Sequence, residues 1–253
     1  MSKLTEKILA AKAEGRTALI PFLPGGYPDR ERFWKEITGL DDAGADVIEI
    51  GMPFSDPVAD GPVVEHASLK ALADGVNLTW ILAELKQRRQ NISAAIVLMG
   101  YYNPVYQHGL ERFAREAAEA GVDGVIIADM SFEEDAELRA ALTGHGVDLV
   151  PLVGLNTSPE RMKVYAERGG GFAYFVSVLG TTGDRDSLPA EVRRGLEQAK
   201  SIFDLPIALG FGLKDPKQLE ELDGLVDAAV FGSALIRHLD AGGTGSGFLS
   251  AWK

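Results

Sequence analysis

Short, continuously apolar runs alternate along the chain with longer stretches whose apolar positions recur every three or four residues. Continuous apolar runs are typical of strands covered on both faces, and the longer period is typical of amphipathic helices. The apolar runs predict eight strands: Ala18–Pro21, Asp46–Ile50, Ala95–Met99, Gly124–Ala128, Asp148–Val153, Phe172–Val176, Pro206–Leu209 and Ala228–Phe231. Each is followed by a predicted helix: Arg30–Asp42, Leu78–Arg89, Leu110–Glu119, Glu133–Leu142, Pro159–Glu167, Ala190–Ile202, Pro216–Leu222 and Ser233–Leu239. A further helix, Leu4–Ala13, precedes the first strand.

A recurring four-residue phrase marks the passage from helix to strand. It reads AGAD at Ala43–Asp46, AGVD at Ala120–Asp123 and HGVD at His145–Asp148. Glycine suits the C-terminus of a helix and aspartate suits a turn, so each phrase ends a helix and opens a strand.

Eight strand–helix units in 253 residues predict an α/β fold, a (β/α)8 TIM barrel with an extra N-terminal helix. No linker or change of composition divides the chain, so we expect one barrel domain over residues 1–253. A doubly wound open sheet is the alternative. It usually has fewer units, and no Gly-x-Gly-x-x-Gly follows the first strand here.

Composition narrows the classes of function. The net charge is −12 and no basic stripe offsets it, which argues against nucleic-acid binding. Cysteine is absent, so there is neither a disulfide nor a thiolate metal site. No apolar run is long enough to span a membrane, and the N-terminal stretch lacks the apolar core of a signal peptide. We therefore expect a cytoplasmic protein.

Glu49 is the first candidate for chemistry. The active sites of (β/α)8 barrels lie at the C-terminal ends of the strands, and Glu49 stands near the end of the second predicted strand. Alternation places Val47, Glu49 and Gly51 on one face and the isoleucines on the other, so Glu49 points into the barrel. Burial raises the pKa of a carboxyl group and makes it a useful acid/base. The alternative is a structural glutamate that binds loop N–H groups.

Other titratable groups follow the same strand ends. Asp56 and Asp60 lie in the loop SDPVADGP, where acids also serve as turn residues, and Asp56 before Pro57 suits a structural role. Asp129 ends the fourth strand, either as a catalytic group or as a cap for a neighbour. Two tyrosines complete the set: Tyr101, with Tyr102 next to it, follows the third strand, and Tyr174 lies within the sixth.

The predicted strands also exclude some mechanisms. None of them contains a lysine, which a Schiff-base aldolase needs, and none contains a histidine. The four histidines of the chain have no spacing suited to a metal site. We therefore expect metal-free chemistry that depends on carboxyl groups.

Glycines at the ends of the last two strands predict an anion site. Gly210, Gly212 and Gly232 would let backbone N–H groups approach a phosphate, and Ser233 would begin the eighth helix, whose N-terminus faces the same point. The alternative is that these glycines only form tight turns. The loop Leu179–Pro189 is rich in glycine and threonine and is interpreted either as a lid over the ligand or as a loose loop.

Six motifs in one order resemble the family of tryptophan synthase alpha subunits over nearly the whole chain. They are PFLPGGYP (Pro21–Pro28), IEIGMPFSDPVADGP (Ile48–Pro62), YYNPV (Tyr101–Val105), GTTG (Gly180–Gly183), GFG (Gly210–Gly212) and FGSA (Phe231–Ala234). The second motif is highly specific, whereas the glycine motifs alone would fit many phosphate-binding barrels.

The resemblance implies a carbon–carbon lyase that cleaves indole-3-glycerol phosphate to indole and glyceraldehyde 3-phosphate. By the same resemblance, Glu49 is the main acid/base and Asp60 binds the indole N–H. The residues implied in substrate binding are Phe22, Tyr101, Tyr174, Thr182, Gly183, Phe211, Gly212, Gly232 and Ser233. The chain itself would hold no cofactor and no metal. Its partner would be a pyridoxal-phosphate β subunit in an α2β2 complex, facing the loop Pro53–Asp60.

Some residues depart from the usual pattern of that family. Pro24, Gly25 and Tyr27 stand where Thr or Ala, Ala and Asp are more frequent. Three further departures are Met130, Ser131 and Thr181. None of them removes a catalytic group.

Two other functions stay open at this point. Indole-3-glycerol-phosphate synthase and phosphoribosylanthranilate isomerase share the phosphate site, but the first needs a strand lysine and the second a cysteine. A non-catalytic barrel that activates a partner enzyme would lose Glu49 or Asp60, and both are present here.

Overall fold

The computed structural model describes residues 1–177, 189–210, 218, 222 and 224–252. The strands in this part of the chain are β1 (Ala18–Pro24), β2 (Val47–Gly51), β3 (Ala95–Gly100), β4 (Gly124–Ile127), β5 (Asp148–Leu149), β6 (Leu152–Gly154), β7 (Ala173–Val176), β8 (Ile207–Gly210) and β9 (Ala228–Phe231). The helices are α1 (Lys3–Ala13), α2 (Arg30–Asp42), α3 (Pro62–Ala73), α4 (Leu78–Arg88), α5 (Tyr102–His108), α6 (Leu110–Ala120), α7 (Ala136–Gly144), α8 (Pro159–Arg168), α9 (Ala190–Ile202), α10 (Ser233–Asp240) and α11 (Gly245–Ser250).

All the strand pairs are parallel, in the order β5-β4-β3-β2-β1-β9-β8-β7-β6. The segments β5 and β6 at the two ends of this order are halves of one predicted strand. Pro151 lies between them and has no N–H for the ladder. Its carbonyl still accepts the Tyr174 N–H (2.9 Å), while the Val150 N–H donates to Val125 (2.9 Å), so the sheet closes on itself. The predicted eight-stranded barrel with an extra N-terminal helix is confirmed.

Three helices were missed by the sequence interpretation: α3, α5 and α11. Helix α3 begins with Pro62 at its first position after Gly61, a favourable start that follows directly on the turn-rich loop. Helix α5 has only seven residues, too few for a clear apolar period. Helix α7 begins at Ala136 rather than at the predicted Glu133. The predicted helix Pro216–Leu222 falls largely on residues outside the described part.

The recurring Gly-x-Asp phrase has a further role at the N-terminal end of the barrel. Its glycines adopt positive φ, as the helix-end interpretation requires (Gly44 85°, Gly121 77°). Its aspartates do more than form turns. Asp46 accepts the Leu19 N–H of β1 (2.9 Å), and Asp123 accepts the Ile96 N–H of β3 (2.8 Å). Each carboxylate therefore joins the start of its own strand to the start of the neighbouring strand.

Asp227, directly before β9, also joins the start of its own strand to the start of a neighbouring strand, and it binds helix α1 as well. The buried carboxylate accepts the Ile207 N–H of β8 (2.9 Å) and pairs with Lys12 of α1 (2.7 Å) and Lys200 of α9 (3.5 Å). Near the start of α1, the Thr5 hydroxyl donates to the Gly171 carbonyl (2.7 Å). Helix α1 is therefore fixed across the end of the barrel opposite the candidate site.

We expect Asp227→Ala to lower the free energy of unfolding by about 2–4 kcal/mol, because it leaves the buried Ile207 N–H and two lysines without their carboxylate. Denaturant titration at pH 7 measures this loss. The matched variant Asp227→Asn keeps an oxygen for the Ile207 N–H and should lose less than half as much. Equal losses in the two variants would contradict the role assigned to the backbone hydrogen bond.

No described helix has the length and apolar character that crossing a lipid bilayer demands.

Candidate active site

Glu49 lies in the middle of β2 and is completely buried. Strand register sets it beside Phe22 of β1 and Val97 of β3, on the inner face that the alternation predicts. Neither of its carboxyl oxygens has a hydrogen-bond partner among the described residues. Burial, with a smaller contribution from the charge of Asp60, raises the pKa of Glu49 to about 8. Its carboxyl group is therefore mostly protonated at pH 7 and free to bind a ligand.

Asp60 is positioned by the loop after β2 and by Tyr101 at the end of β3. The Tyr101 hydroxyl accepts the N–H of Ala59 (3.0 Å) and donates to the Asp60 carboxyl group. Its ring packs on Phe54, with the ring centroids 5.3 Å apart. Burial raises the pKa of Asp60 to about 6 against the opposing effect of the Tyr101 hydrogen bond. Asp60 is thus mostly ionised at pH 7, whereas Glu49 is mostly neutral.

Tyr174 of β7 brings an aromatic ring to the same two acids. Its side chain is buried, and burial followed by the charges of Glu49 and Asp60 raises its pKa well above the ordinary range. The ring crosses the end of β8, where a Cβ on Gly210 would lie 2.6 Å from the Tyr174 hydroxyl. Gly210 therefore permits the close approach of Tyr174, and the phosphate contact expected for it stays a prediction.

Phe22 and the start of α10 form the other side of the site. Phe22 Cζ would lie 2.9 Å from a Cβ on Gly51, and Phe22 Cδ1 would lie 3.3 Å from one on Gly232. Gly232 is the N-cap of α10, and Ser233 is its first residue. The N–H groups of the first helical turn have no partner within the helix, so this end can accept an anion.

Four of the predicted site residues lie outside the described residues: Thr182, Gly183, Phe211 and Gly212. The predicted lid Leu179–Pro189 lies outside them as well, except for Pro189. The structure brings together Glu49, Asp60, Tyr101 and Tyr174, with Phe22 on the neighbouring strand of the barrel. Burial raises the pKa of each of the four titratable groups in this set.

Comparison with known proteins identifies the family to which this chain belongs. The family model described as tryptophan synthase alpha chain matches residues 8–246. The tryptophan synthase alpha chain of Maridesulfovibrio salexigens is 63% identical over 253 residues, which cover 100% of this chain and 99% of that protein. The tryptophan synthase alpha chain of Solidesulfovibrio magneticus is 58% identical over 252 residues, which cover 100% of this chain and 98% of that protein. The chain belongs to the tryptophan synthase alpha chain family.

Solved structures agree with this assignment to the alpha chain family. The tryptophan synthase subunit alpha of Legionella pneumophila superposes with a TM-score of 0.89 at 31% identity, covering 100% of this chain and 97% of that chain. A chain of Mycobacterium tuberculosis tryptophan synthase superposes with a TM-score of 0.91 at 32% identity. The match covers 99% of this chain and 96% of that chain. The family, the barrel and the lyase function that the six motifs imply are confirmed.

Two other acids in the site region have structural partners. Asp129 accepts the Tyr102 N–H at the start of α5 (2.7 Å), which is the capping role weighed against catalysis. Asp56 is exposed and accepts a hydrogen bond from the Ser55 hydroxyl (2.5 Å). Both carboxylates are exposed, whereas Glu49 is completely buried.

The sequence interpretation missed the hydrogen bonds of Tyr101 to Ala59 and Asp60. Tyr101 entered the prediction as a substrate-binding residue, and its contact with the loop Pro53–Asp60 shows that it also orders a candidate catalytic group. Its position directly after a strand end was the only sequence signal for this. Within the described residues, no group of three or more His, Asp or Glu side chains is arranged to hold a metal ion.

Proposed function

We propose that this chain cleaves indole-3-glycerol phosphate by a retro-aldol reaction in which Glu49 is the acid/base and Asp60 binds the indole N–H. The observation that carries the proposal is the completely buried Glu49 carboxyl group, which has no hydrogen-bond partner in the part of the chain that the structure describes and is subject to the charge of Asp60. Alpha chains of this family are lyases of tryptophan biosynthesis, and the site has the groups that their reaction needs.

Glu49 supplies both proton transfers in this mechanism. In its neutral form it gives a proton to C3 of the indole ring, which turns the ring into a cationic indolenine. The resulting carboxylate then takes the proton of the hydroxyl group on the adjacent side-chain carbon. The C–O bond becomes a carbonyl, the C–C bond breaks, and its electron pair returns to the ring. Glu49 ends protonated, so the cycle is balanced.

Asp60 acts on the charge that develops in the ring. As a carboxylate it accepts the hydrogen bond of the ring N–H, which becomes strongest when the indolenine carries positive charge. The two acids need opposite protonation states, and the site provides them, since the pKa of Glu49 is raised to about 8 and that of Asp60 to about 6. Tyr101 holds Asp60 through its hydroxyl group. Phe22 and Tyr174 offer apolar surface to the indole ring.

The phosphate would bind at the start of α10, through the free N–H groups after Gly232 and the Ser233 hydroxyl. Gly183 and Gly212 are proposed to complete this site, as the family resemblance implies. Phe211 is proposed in the indole pocket, and Thr182 in a segment that closes over it.

The partner is proposed to be a pyridoxal-phosphate β subunit in an α2β2 complex, which receives the indole. Two exposed apolar residues support an interface on the side of the candidate site. Val58 lies in the loop that carries Asp60, and Tyr106 lies on α5, directly after the strand end that carries Tyr101. The single domain and the cytoplasmic location stay predictions.

An assay of indole formation tests this function. The purified chain is incubated with indole-3-glycerol phosphate alone and with a tryptophan synthase β subunit of a related organism. We expect slow indole release from the chain alone and faster turnover in the mixture. No indole in either reaction, with a related alpha chain active under the same conditions, would favour a non-catalytic barrel that only activates its partner.

The protonation states predict a bell-shaped dependence of kcat/KM on pH. Below about pH 6, Asp60 gains a proton and no longer accepts the ring N–H as an anion. Above about pH 8, Glu49 loses the proton that C3 requires. Steady-state rates between pH 5 and 9.5 should therefore fall on both sides of neutrality.

The phosphate of the substrate also titrates near pH 6 and needs a control. Asp60→Asn removes the carboxyl group and should remove its part of the acid limb. If the acid limb of this variant matches that of the wild type, the limb belongs to the substrate. A wild-type profile that stays flat up to pH 9.5 would contradict the role of Glu49 as the acid.

A further inference from the structure

Tyr27 lies in the turn between β1 and α2 and is almost completely buried, with 3% of its surface exposed. Its N–H donates to the Pro24 carbonyl (3.0 Å), which closes the turn onto the end of β1. Gly26 before it has a φ of 81°, and a Cβ there would lie 2.4 Å from Val76 Cγ2. The turn therefore packs tightly and leaves the tyrosine side chain little freedom.

The Tyr27 hydroxyl donates a hydrogen bond to Asp240, the last residue of α10. Burial and then this hydrogen bond raise the pKa of Tyr27 to about 12, so the hydroxyl keeps its proton at every physiological pH. A carboxylate at the C-terminus of a helix is unfavourable with respect to the helix dipole. The charge of Asp240 therefore does not stabilise α10. Its hydrogen bond with Tyr27 instead joins the end of α10 to the turn after β1.

Arg32 joins the same end of α10 to α2. Its guanidinium donates to the Gly243 carbonyl (2.8 Å) and more weakly to the Leu239 carbonyl (3.4 Å). On the other side of Tyr27, the Lys70 ammonium of α3 lies 5.5 Å from the centroid of the tyrosine ring. Tyr27 is thus the buried member of a set of contacts that fixes the C-terminal end of α10 against β1, α2 and α3.

Helix α10 has eight residues, about 12 Å in length, and helices this short depend on tertiary contacts for their stability. Its N-terminal end has no side-chain cap, because the N-cap residue is Gly232. Packing against β1 and α3 and the contacts at the Asp240 end therefore hold the helix. A movement at one end of so short a rigid element displaces the N–H groups at the other.

We propose that Tyr27, through its hydrogen bond to Asp240, is a positioning residue that sets the place of the N-terminus of α10 and thereby the affinity of the site for phosphate. This inference rests on the proposed function, which assigns the phosphate to that helix end. Tyr27 does not touch the reacting atoms. Its loss should raise KM through weaker phosphate binding and leave kcat with saturating substrate nearly unchanged.

The test measures the binding of glycerol 3-phosphate by calorimetry to the full chain. Tyr27→Phe removes only the hydroxyl, and Asp240→Ala removes its acceptor. Both should weaken binding about three- to tenfold, and the effects should not add in the double variant, since the two changes break one hydrogen bond. Asp240→Asn keeps an oxygen acceptor and should bind within twofold of the wild type.

Tyr165→Phe is the matched control, because the Tyr165 hydroxyl also bonds a charged side chain, that of Arg161 (2.6 Å), away from α10. It should leave the affinity unchanged. A Tyr27→Phe variant that melts at a lower temperature but binds glycerol 3-phosphate like the wild type would overturn the inference while the proposed function stands. A wild-type chain that binds no glycerol 3-phosphate would overturn both.

Discussion

Glu49→Gln is expected to reduce the rate of indole formation at least about a hundredfold, because glutamine keeps the size of the side chain but cannot transfer a proton. The measurement is kcat with saturating β subunit, which separates the chemical step from subunit binding. Glu84→Gln on α4 is the isosteric control, since that carboxylate pairs with Arg88 of the same helix (2.6 Å). Near-normal turnover by Glu49→Gln would contradict the assigned mechanism.

The same variant has an effect on stability that does not depend on activity. Glu49 has a pKa of about 8 in the folded chain against an ordinary value of 4.5. A raised pKa in the folded state contributes stability that is complete below the unfolded pKa and is lost as the pH rises through the folded pKa. At about 1.4 kcal/mol per pH unit, the wild type should lose roughly 4–5 kcal/mol from this group between about pH 4.5 and 8.

Glutamine does not titrate, so the Glu49→Gln variant does not lose this stability as the pH rises. The difference in the free energy of unfolding between the variant and the wild type should therefore shift in favour of the variant by several kcal/mol from pH 5 to pH 9. Denaturant titrations at the two pH values measure it, and the difference between the two proteins cancels the other titrating groups. Parallel pH dependences would show that Glu49 is not held neutral by its surroundings.

Gly232→Asp is expected to weaken the binding of glycerol 3-phosphate more than about a hundredfold. It places a carboxylate at the end of α10 that is proposed to bind the phosphate. At roughly 5 Å and an effective dielectric constant of about 20, two negative charges repel by about 3 kcal/mol. The helix itself tolerates the change, since an acid at its N-terminus is favourable, and circular dichroism should stay native.

Gly232→Asn is the matched variant, because asparagine has the same size without the charge. A Cβ at this position approaches Phe22 Cδ1 to 3.3 Å, so a modest steric loss is expected in both variants. The difference between them measures the electrostatic part, and it should account for most of the loss. Retained binding by Gly232→Asp would place the phosphate elsewhere.

The effect predicted for Asp227→Ala shows that carboxylates stabilise the fold at the N-terminal end of the barrel, whereas the carboxyl group of Glu49 at the other end is proposed to serve catalysis. At the N-terminal end, the carboxylates of Asp46, Asp123 and Asp227 are each paired with a backbone N–H group and with a lysine or arginine, as Asp46 is with Arg16 (2.7 Å). At the other end, Glu49 has no hydrogen-bond partner among the residues that the structure describes. A buried acid without a partner is unfavourable for the folded state, and its retention is explained by the reaction proposed for it.

The linear pattern of residues determined much of this protein. Continuous apolar runs followed by helical periods were enough for the barrel, because strands buried on both faces and amphipathic helices have periods that are visible along the chain. Alternation within β2 placed Glu49 on the inner face, since successive side chains of a strand point to opposite sides. The specific loop motif identified the family and, with it, Asp60.

The tertiary structure alone decided which groups meet. Tyr101 with Asp60, Tyr174 over Gly210, and Tyr27 with Asp240 are contacts between residues distant in sequence, and no local period encodes them. The raised pKa values of Glu49 and Asp60 likewise depend on burial by many surrounding residues. Local patterns report secondary structure and the faces of its elements. Distances between side chains on different elements, and the solvation that follows from them, arise only when the barrel closes.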